Sequence, residues 1–322
     1  MTIKFLALKK CLTEFYPVLA IGGEDAYLRG KALETIVSAL DVVTPEFNVN
    51  TFDEQSAAED ILYACESLPF GSPKKIVVAD FSSGQKILFS PKDREKIEIY
   101  CAKPNDLSCL IFILQKFSDF VLPESVVKVD CARLPKKELI EWAKVRAKIL
   151  GKNLAEDAAE TLVEYCLGDM TRISTETEKL SGFVDDIVTE EDVGKLVGRG
   201  MEYRVYELAN LIAAKKSGAL EMLADMLRSG EEPTSLLALL YSFYRRMYYV
   251  SVTKGLSAGE TAELLGVKEF AVTKTQETMA KYNQFQLKDA LGIFEDAECK
   301  IKKTWGKDEN LLNMVALKLL NL

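Results

Sequence analysis

Between residues 1 and 135 short β-rich runs recur at 18–21, 48–52, 76–80, 110–114 and 126–130, with helical patterns at about 28–40, 56–67 and 92–102 between them. The mainly apolar runs at 18–21, 76–80 and 110–114 suit strands buried on both faces, and intervening helices supply parallel crossovers. The spacing therefore predicts an α/β unit with a parallel sheet covered on both sides. No further sheet strand is expected after Asp130.

The texture changes at Leu134-Pro135. Helices are predicted over 136–150, with Gly151 as C-cap, then over 155–166 and 170–180, with Thr189 as the N-cap of another turn. From Tyr203 onward the chain reads as amphipathic helices over 203–214, 217–229, 233–254, 257–264, 269–281, 284–303 and 308–320, separated by short polar breaks. Such a series predicts an antiparallel bundle. With 322 residues there is enough chain for two or three cores. The expected domains are 1–135 (α/β), 136–202 (small, helical) and 203–322 (helical).

The first strand leads through Gly22-Gly23-Glu24-Asp25-Ala26-Tyr27-Leu28 into a helix, which is where a P-loop NTPase cradles phosphate. That chemistry needs backbone N–H groups, a Lys and a hydroxyl converging on phosphate oxygens and Mg²⁺. Here two carboxylates occupy the turn. None of the Gly-Lys pairs, at 30–31, 151–152, 194–195 and 306–307, is followed by Ser or Thr. The run Ile76-Val77-Val78-Ala79-Asp80 resembles an NTPase strand ending in a Mg²⁺-binding Asp, but Phe81 follows in place of a catalytic Glu. Asp80 suits turn chemistry better. A divergent NTPase or phosphotransferase would have to use Asp80 with Lys74 or Lys75.

Histidine is absent, which excludes Ser-His-Asp and Cys-His catalysis and His-ligated zinc. Seven scattered cysteines form no C-x-x-C pair, so neither a zinc ribbon nor a disulfide framework is expected. They read as buried small apolar residues. No catalytic residue, cofactor or metal is assigned. The net charge of −8 argues against nonspecific DNA coating. The acidic excess lies before residue 203, so nucleic-acid contact is expected, if anywhere, in the last third. No apolar run approaches the ~18 residues of a membrane span. Met1-Thr2-Ile3-Lys4-Phe5 lacks a signal-peptide layout, and a cytoplasmic location is expected.

Four motifs have a functional and a structural reading. Leu68-Pro69-Phe70-Gly71-Ser72 could present Leu68 and Phe70 outward as an apolar plug for a partner's pocket; the simpler alternative folds Phe70 back onto the sheet. Residues 256–274 mimic a DNA-reading helix-turn-helix. Its second helix, however, begins Lys268-Glu269-Phe270-Ala271-Val272, with acidic and apolar groups where base contacts belong. A DNA-binding regulator is thus less apt than two bundle helices joined at Gly266. The cluster Tyr241-Ser242-Phe243-Tyr244-Arg245-Arg246-Met247-Tyr248-Tyr249 could stack bases but suits a bundle core. Lys300-Ile301-Lys302-Lys303-Thr304-Trp305-Gly306-Lys307 is either a basic helix end favoured by the dipole or a phosphate site with one stacking ring.

Taken in order, these pieces resemble the delta subunits of bacterial DNA polymerase III, a family of the AAA+ clamp loader. The resemblance rests on Gly22-Gly23-Glu24-Asp25-Ala26-Tyr27-Leu28, on Leu68-Pro69-Phe70 before Lys74-Lys75-Ile76-Val77-Val78, and on Gly168-Asp169-Met170-Thr171-Arg172-Ile173 followed by Glu176-Thr177-Glu178-Lys179-Leu180. Gly230-Glu231-Glu232-Pro233, Leu264-Leu265-Gly266-Val267 and Lys302-Lys303-Thr304-Trp305-Gly306 complete it. It implies a degenerate AAA+ domain, a helical lid and a C-terminal collar. It further implies a subunit that hydrolyses no ATP, and that binds and opens the sliding clamp (beta) for loading on primed DNA. The implied neighbours are the gamma/tau and delta-prime subunits and primer-template DNA. Leu68, Pro69 and Phe70 fall at the clamp-binding plug, and Trp305, with Lys302 and Lys303, falls near the primer end. Family members carry Leu-Phe or Pro-Phe at the plug, so Pro69 shifts weight onto Leu68; at 305 the usual aromatic is Tyr.

Overall fold

The computed structural model describes residues 1–253, 255–267, 269–304 and 309–322, without the side chains of 301–304 and 309. The described chain divides into two compact units, Met1–Leu134 and Pro135–Leu322.

In the first unit six strands, β1 (Thr2–Lys4), β2 (Val18–Gly22), β3 (Val49–Phe52), β4 (Lys75–Phe81), β5 (Ser108–Leu114) and β6 (Val127–Asp130), form one sheet in the order β1-β6-β2-β5-β4-β3. Every pairing is parallel, as the apolar runs predict. Central β5 aligns Leu110 with Val18 on one side and Val77 on the other, and every residue of β2 and β5 is buried. Burial on both faces explains why these strands lack polar alternation. Of the helices α1 (Leu8–Cys11), α2 (Ala26–Ala39), α3 (Pro45–Asn48), α4 (Ala58–Glu66) and α5 (Pro91–Ala102), α4 and α5 add Ile61, Cys65, Ile97 and Tyr100 to a core with Val18, Ala20, Val77, Leu110 and Phe112. Leu28, Ala32 and Ile36 are the buried apolar residues of α2, which packs on β2.

Three expectations about strands are corrected. Edge strand β1 adds three residues of which Ile3 alone is buried, too short to show an apolar run. Sheet structure also continues past Asp130: β7 (Asn153–Leu154) and β8 (Ile187–Val188) pair in parallel. Two residues each, they are too short for any periodicity. The predicted strand over 48–52 loses its first residue, because Asn48 ends the helical turn α3, with Pro45 preset at its first position.

The second unit is helical apart from β7 and β8. Its helices are α6 (Lys136–Ile149), α7 (Glu156–Tyr165), α8 (Met170–Phe183), α9 (Glu190–Leu196), α10 (Met201–Ala213), α11 (Gly218–Arg228), α12 (Pro233–Val252), α13 (Ala258–Leu265), α14 (Glu269–Met279), α15 (Gln284–Thr304) and α16 (Glu309–Leu320). Leu150 is the C-cap of α6, and Gly151 follows it at φ +80°, one place beyond its expected role. Lys152 and Gly151 donate to the Ala147 and Lys148 carbonyls, closing the helix in a Schellman motif. Thr189 caps α9 as expected, in a capping box with Asp192. Asp169 caps α8 by accepting from the Arg172 N–H at 3.1 Å, which gives the Gly168-Asp169-Met170 segment a local structural role. Helix α12 carries the main core, with Leu236, Leu240, Tyr244 and Met247 packed among residues of α10, α11, α15 and α16.

One polar cluster ties residues of α7 to α10 and α14. Glu164 accepts from Lys136 at 2.9 Å and from Lys274 at 3.1 Å; Lys274 also reaches Glu277, which accepts from the Tyr206 hydroxyl at 2.8 Å. Burial opposes ionisation of Glu164, yet the two lysines outweigh it and hold the carboxyl below its ordinary value. Lys274 is likewise disfavoured by burial, but Glu164 raises it above the ordinary lysine value. Replacing Lys274→Met should therefore cost about 1–3 kcal/mol near neutral pH, read by chemical denaturation of wild type and variant. A lowered carboxyl pKa contributes stability above the ordinary value of 4.5, lost as pH falls through the folded value. The raised Lys274 adds stability that is lost only above 10.5. The gap should stay constant across neutral pH and shrink on acidification below the ordinary carboxyl value. Equal stabilities at neutral pH would remove this role.

Candidate functional site

In an open parallel sheet the ligand crevice lies beyond the C-terminal ends of the strands, here at the turn after β2. The chain occupies that place itself. Gly23 has φ +147°, and a Cβ there would lie 2.1 Å from the Cys131 carbonyl carbon. Cys131 donates its N–H to the Gly22 carbonyl at 2.7 Å, and Asp25 N–H donates to the Cys131 carbonyl at 3.3 Å. The Asp25 carboxylate caps α2 by accepting from the Leu28 N–H at 3.1 Å, so an anion is already present at that helix start. Buried Arg29 donates to the Gly23 carbonyl, and Glu24 pairs with Arg133 at 3.5 Å. A phosphate would have to displace Asp25 and sit beside Glu24.

Asp80 is engaged in turn chemistry. Its Oδ1 accepts from the Ser82 N–H at 3.1 Å and the Ser82 hydroxyl at 2.6 Å. Buried Glu54 fixes the next residue, accepting from the Ser83 N–H at 2.9 Å and hydroxyl at 2.7 Å. Lys75 sits at the opposite end of β4, where it donates to Ser67 Oγ at 2.6 Å, and Lys74 donates to the Asp106 carbonyl. Five residues of strand span about 16 Å. The groups of the divergent-NTPase reading therefore do not converge.

The other end of the sheet is different. Helix α4 stops at Glu66, and Ser67, its C-cap, is already extended. Pro69 biases Leu68 toward extended backbone as well, and Gly71 turns the chain at φ +60° with nothing near its Cβ position. Leu68 and Phe70 are 78% and 68% exposed. The reading in which Phe70 folds onto the sheet is corrected: its ring meets Phe47, centroids 5.4 Å apart, and Phe47 is itself 60% exposed.

Beneath this apolar apex lies Asn48, with 0% exposure. Its Oδ1 accepts from the Phe70 N–H at 2.7 Å, and its Nδ2 donates to the Phe70 carbonyl at 2.8 Å and the Val43 carbonyl at 2.8 Å. The Ser72 hydroxyl accepts from the Val43 N–H at 3.1 Å and donates to the Lys74 carbonyl at 2.9 Å. Sequence reasoning missed Phe47 and Asn48. The signal available was Thr44-Pro45, a helix-start pair that separates Asn48 from the strand.

In the second unit the helix-turn-helix mimic is two packed helices. Gly266 ends α13 at φ +64°, and α14 buries Val272, Thr275 and Thr278, the last donating to Asn210 Oδ1 at 2.7 Å. The aromatic cluster on α12 is core as expected, with Phe243, Tyr244 and Met247 buried and the Tyr244 and Tyr282 hydroxyls 2.9 Å apart. Arg245 is exposed, its guanidinium over the Tyr241 ring at 5.7 Å. Arg246 lies 5.6 Å over the Phe243 ring, its Nε buried without a hydrogen-bond partner among the described residues. Trp305 lies outside the described residues, as do the side chains of Lys302 and Lys303 at the end of α15.

Five cysteines, 65, 101, 109, 131 and 166, are buried with thiols pushed up to about 12 by desolvation. They are packing residues, as their scatter predicts. Cys299 is exposed. No helix among the described residues is long and apolar enough to cross a membrane.

Residues 19–127 match the family model for the DNA polymerase III delta subunit, and residues 202–319 match the model for that subunit's C-terminal domain. DNA polymerase III subunit delta of Bacillus subtilis (strain 168) is 26% identical over 93% of this chain and 91% of its own length. A probable DNA polymerase III subunit delta of Aquifex aeolicus is also 26% identical, over 78% of this chain and 76% of its own. Among solved structures, the Bacillus subtilis DNA clamp loader delta protein superposes with a TM-score of 0.80 at 23% identity, covering 99% of this chain and all of that one. With its N-terminal and C-terminal parts matched by one family's models and a relative aligned nearly end to end, the chain belongs to the DNA polymerase III delta subunit family.

Proposed function

We propose that this chain is the non-catalytic, clamp-binding delta subunit of a cytoplasmic DNA polymerase III clamp loader. The single observation that carries this reading is the apex at Leu68-Pro69-Phe70, where two large apolar side chains stand in solvent. Its complement is the turn after β2, where Asp25 and the Cys131 backbone satisfy groups that would otherwise receive a phosphate. In this reading the fold mounts a protein-gripping knob on a frame whose nucleotide end is closed.

In this reading Leu68 and Phe70, oriented by Pro69, enter a pocket on the sliding clamp. Burying two such side chains contributes ~3–6 kcal/mol before ordering costs, at ~1.5–3 kcal/mol each. That energy holds the ring open to the extent that the open clamp accepts the plug better than the closed one. Gamma/tau and delta-prime subunits supply ATP turnover. Residues 136–202 act as the lid and residues 203–322 as the collar that packs against those neighbours. Lys302, Lys303 and Trp305 contact primer-template DNA within the assembled loader, the lysines through phosphates and the indole by stacking.

Replacing Phe70→Ala should lower clamp affinity by about 100-fold, equivalent to ~3 kcal/mol, with thermal stability unchanged because the ring is exposed. Full-affinity capture of the clamp by that variant would remove the plug. Trp305→Ala should weaken primer-template binding by the assembled loader at matched salt, and an unchanged affinity would take Trp305 out of the DNA site. The isolated chain should neither retain ATP in equilibrium dialysis nor release phosphate from it; turnover would revive the enzyme reading.

A further inference from the structure

We infer that Asn48 is a positioning residue for clamp binding, and that it holds Phe47 and Phe70 together as a two-ring knob. The inference rests on the clamp-binding reading and adds to it a second contacting ring and the device that fixes both. Three observations carry it.

First, Asn48 is fully buried, yet its side chain spans both polar groups of one exposed residue: it accepts from the Phe70 N–H and donates to the Phe70 carbonyl. This is how a strand neighbour would hold Phe70, supplied by a side chain. A buried amide left unpaired is costly, so Asn48 resists any displacement of the turn. Second, the same Nδ2 donates to the Val43 carbonyl, and the Phe70 carbonyl also accepts from the Thr44 hydroxyl at 3.4 Å. The 43–48 and 70–72 segments are thereby joined in one network. Thr44 enters α3 in the left-handed region at φ +48°, which a β-branched residue adopts only when its surroundings impose it. Third, Phe47 lies directly before Asn48 and meets the Phe70 ring while most of its own surface remains in solvent.

The consequence is energetic. A flexible turn loses backbone and rotamer freedom on docking, whereas a turn already held in place loses little. Asn48 lowers that cost without touching the partner. Phe47 enlarges the apolar face that the clamp pocket receives.

The test uses the full chain and its cognate sliding clamp. Amide hydrogen exchange needs no partner: Phe70 N–H, although in an exposed turn, should exchange about 10-fold or more below its unprotected rate, and Asn48→Ala should abolish that protection. Clamp affinity should fall about 10-fold for Asn48→Ala and about 10-fold for Phe47→Ala. In a double-mutant cycle, Asn48→Ala should cost less in a Phe70→Ala background than alone, since much of its effect runs through the Phe70 ring. A merely structural asparagine would give additive losses instead. Unprotected Phe70 N–H in the wild type, additive losses, or undiminished affinity of Phe47→Ala would each overturn the inference. Should Asn48→Ala fail to fold, Phe70 exchange in the wild-type chain and the exposed variant Phe47→Ala decide the matter. Undiminished clamp binding by Phe70→Ala would instead overturn the clamp-binding reading itself; loss there with failure at Asn48 and Phe47 overturns this inference alone.

Discussion

The in-register parallel pairing of β3 with β4 and of β4 with β5 is the constraint on which the rest of the first unit depends. Parallel strands gather all their N-terminal ends along one edge of a sheet and all their C-terminal ends along the other. Val49 pairs with Ile76, so the residues just before each strand, 43–48 and 68–74, must meet at the same edge. That is why Asn48 can hold Phe70 across 22 residues of chain. The same rule sends the turn after β2 and the Asp80 turn to the opposite edge.

This geometry separates two ends of one frame. At the C-terminal edge the groups that could meet a phosphate are satisfied within the protein: Asp25 at the start of α2, Gly23 against Cys131, Asp80 on Ser82. At the N-terminal edge, large apolar groups are left in solvent while the backbone beneath them is fixed. An exposed phenylalanine on a mobile turn would be a weak ligand and an aggregation hazard. On a held turn, as proposed for Phe70, it would serve as a recognition element. The second unit is fixed by ordinary helix packing, with α12 at its centre and the Glu164–Lys274 pair joining α7 to α14.

Much of the fold was legible because burial on two faces leaves an unmistakable trace in β2, β4 and β5, and because helices carry their own stop signals, as at Gly151 and Gly266. The features that escaped are short or non-local. Strand β1 buries one residue, and β7 and β8 contribute two residues each, so no periodicity could mark them. The exposed position of Phe70 was not decidable from a Pro-Phe-Gly turn alone, since the same residues could fold inward. Asn48 reads as an ordinary strand-edge polar residue until the β3–β4 pairing brings it beneath Phe70. Sequence order reveals elements; it does not reveal which side chain will brace a turn.

The central claim is that a polymerase III delta-family chain with a closed nucleotide end grips the sliding clamp by itself. Capture of the cognate clamp by the isolated full-length chain, with ATP present and with ATP removed, tests it most directly. The account predicts equal capture in both conditions. Capture that requires ATP, or no capture in either, would contradict it.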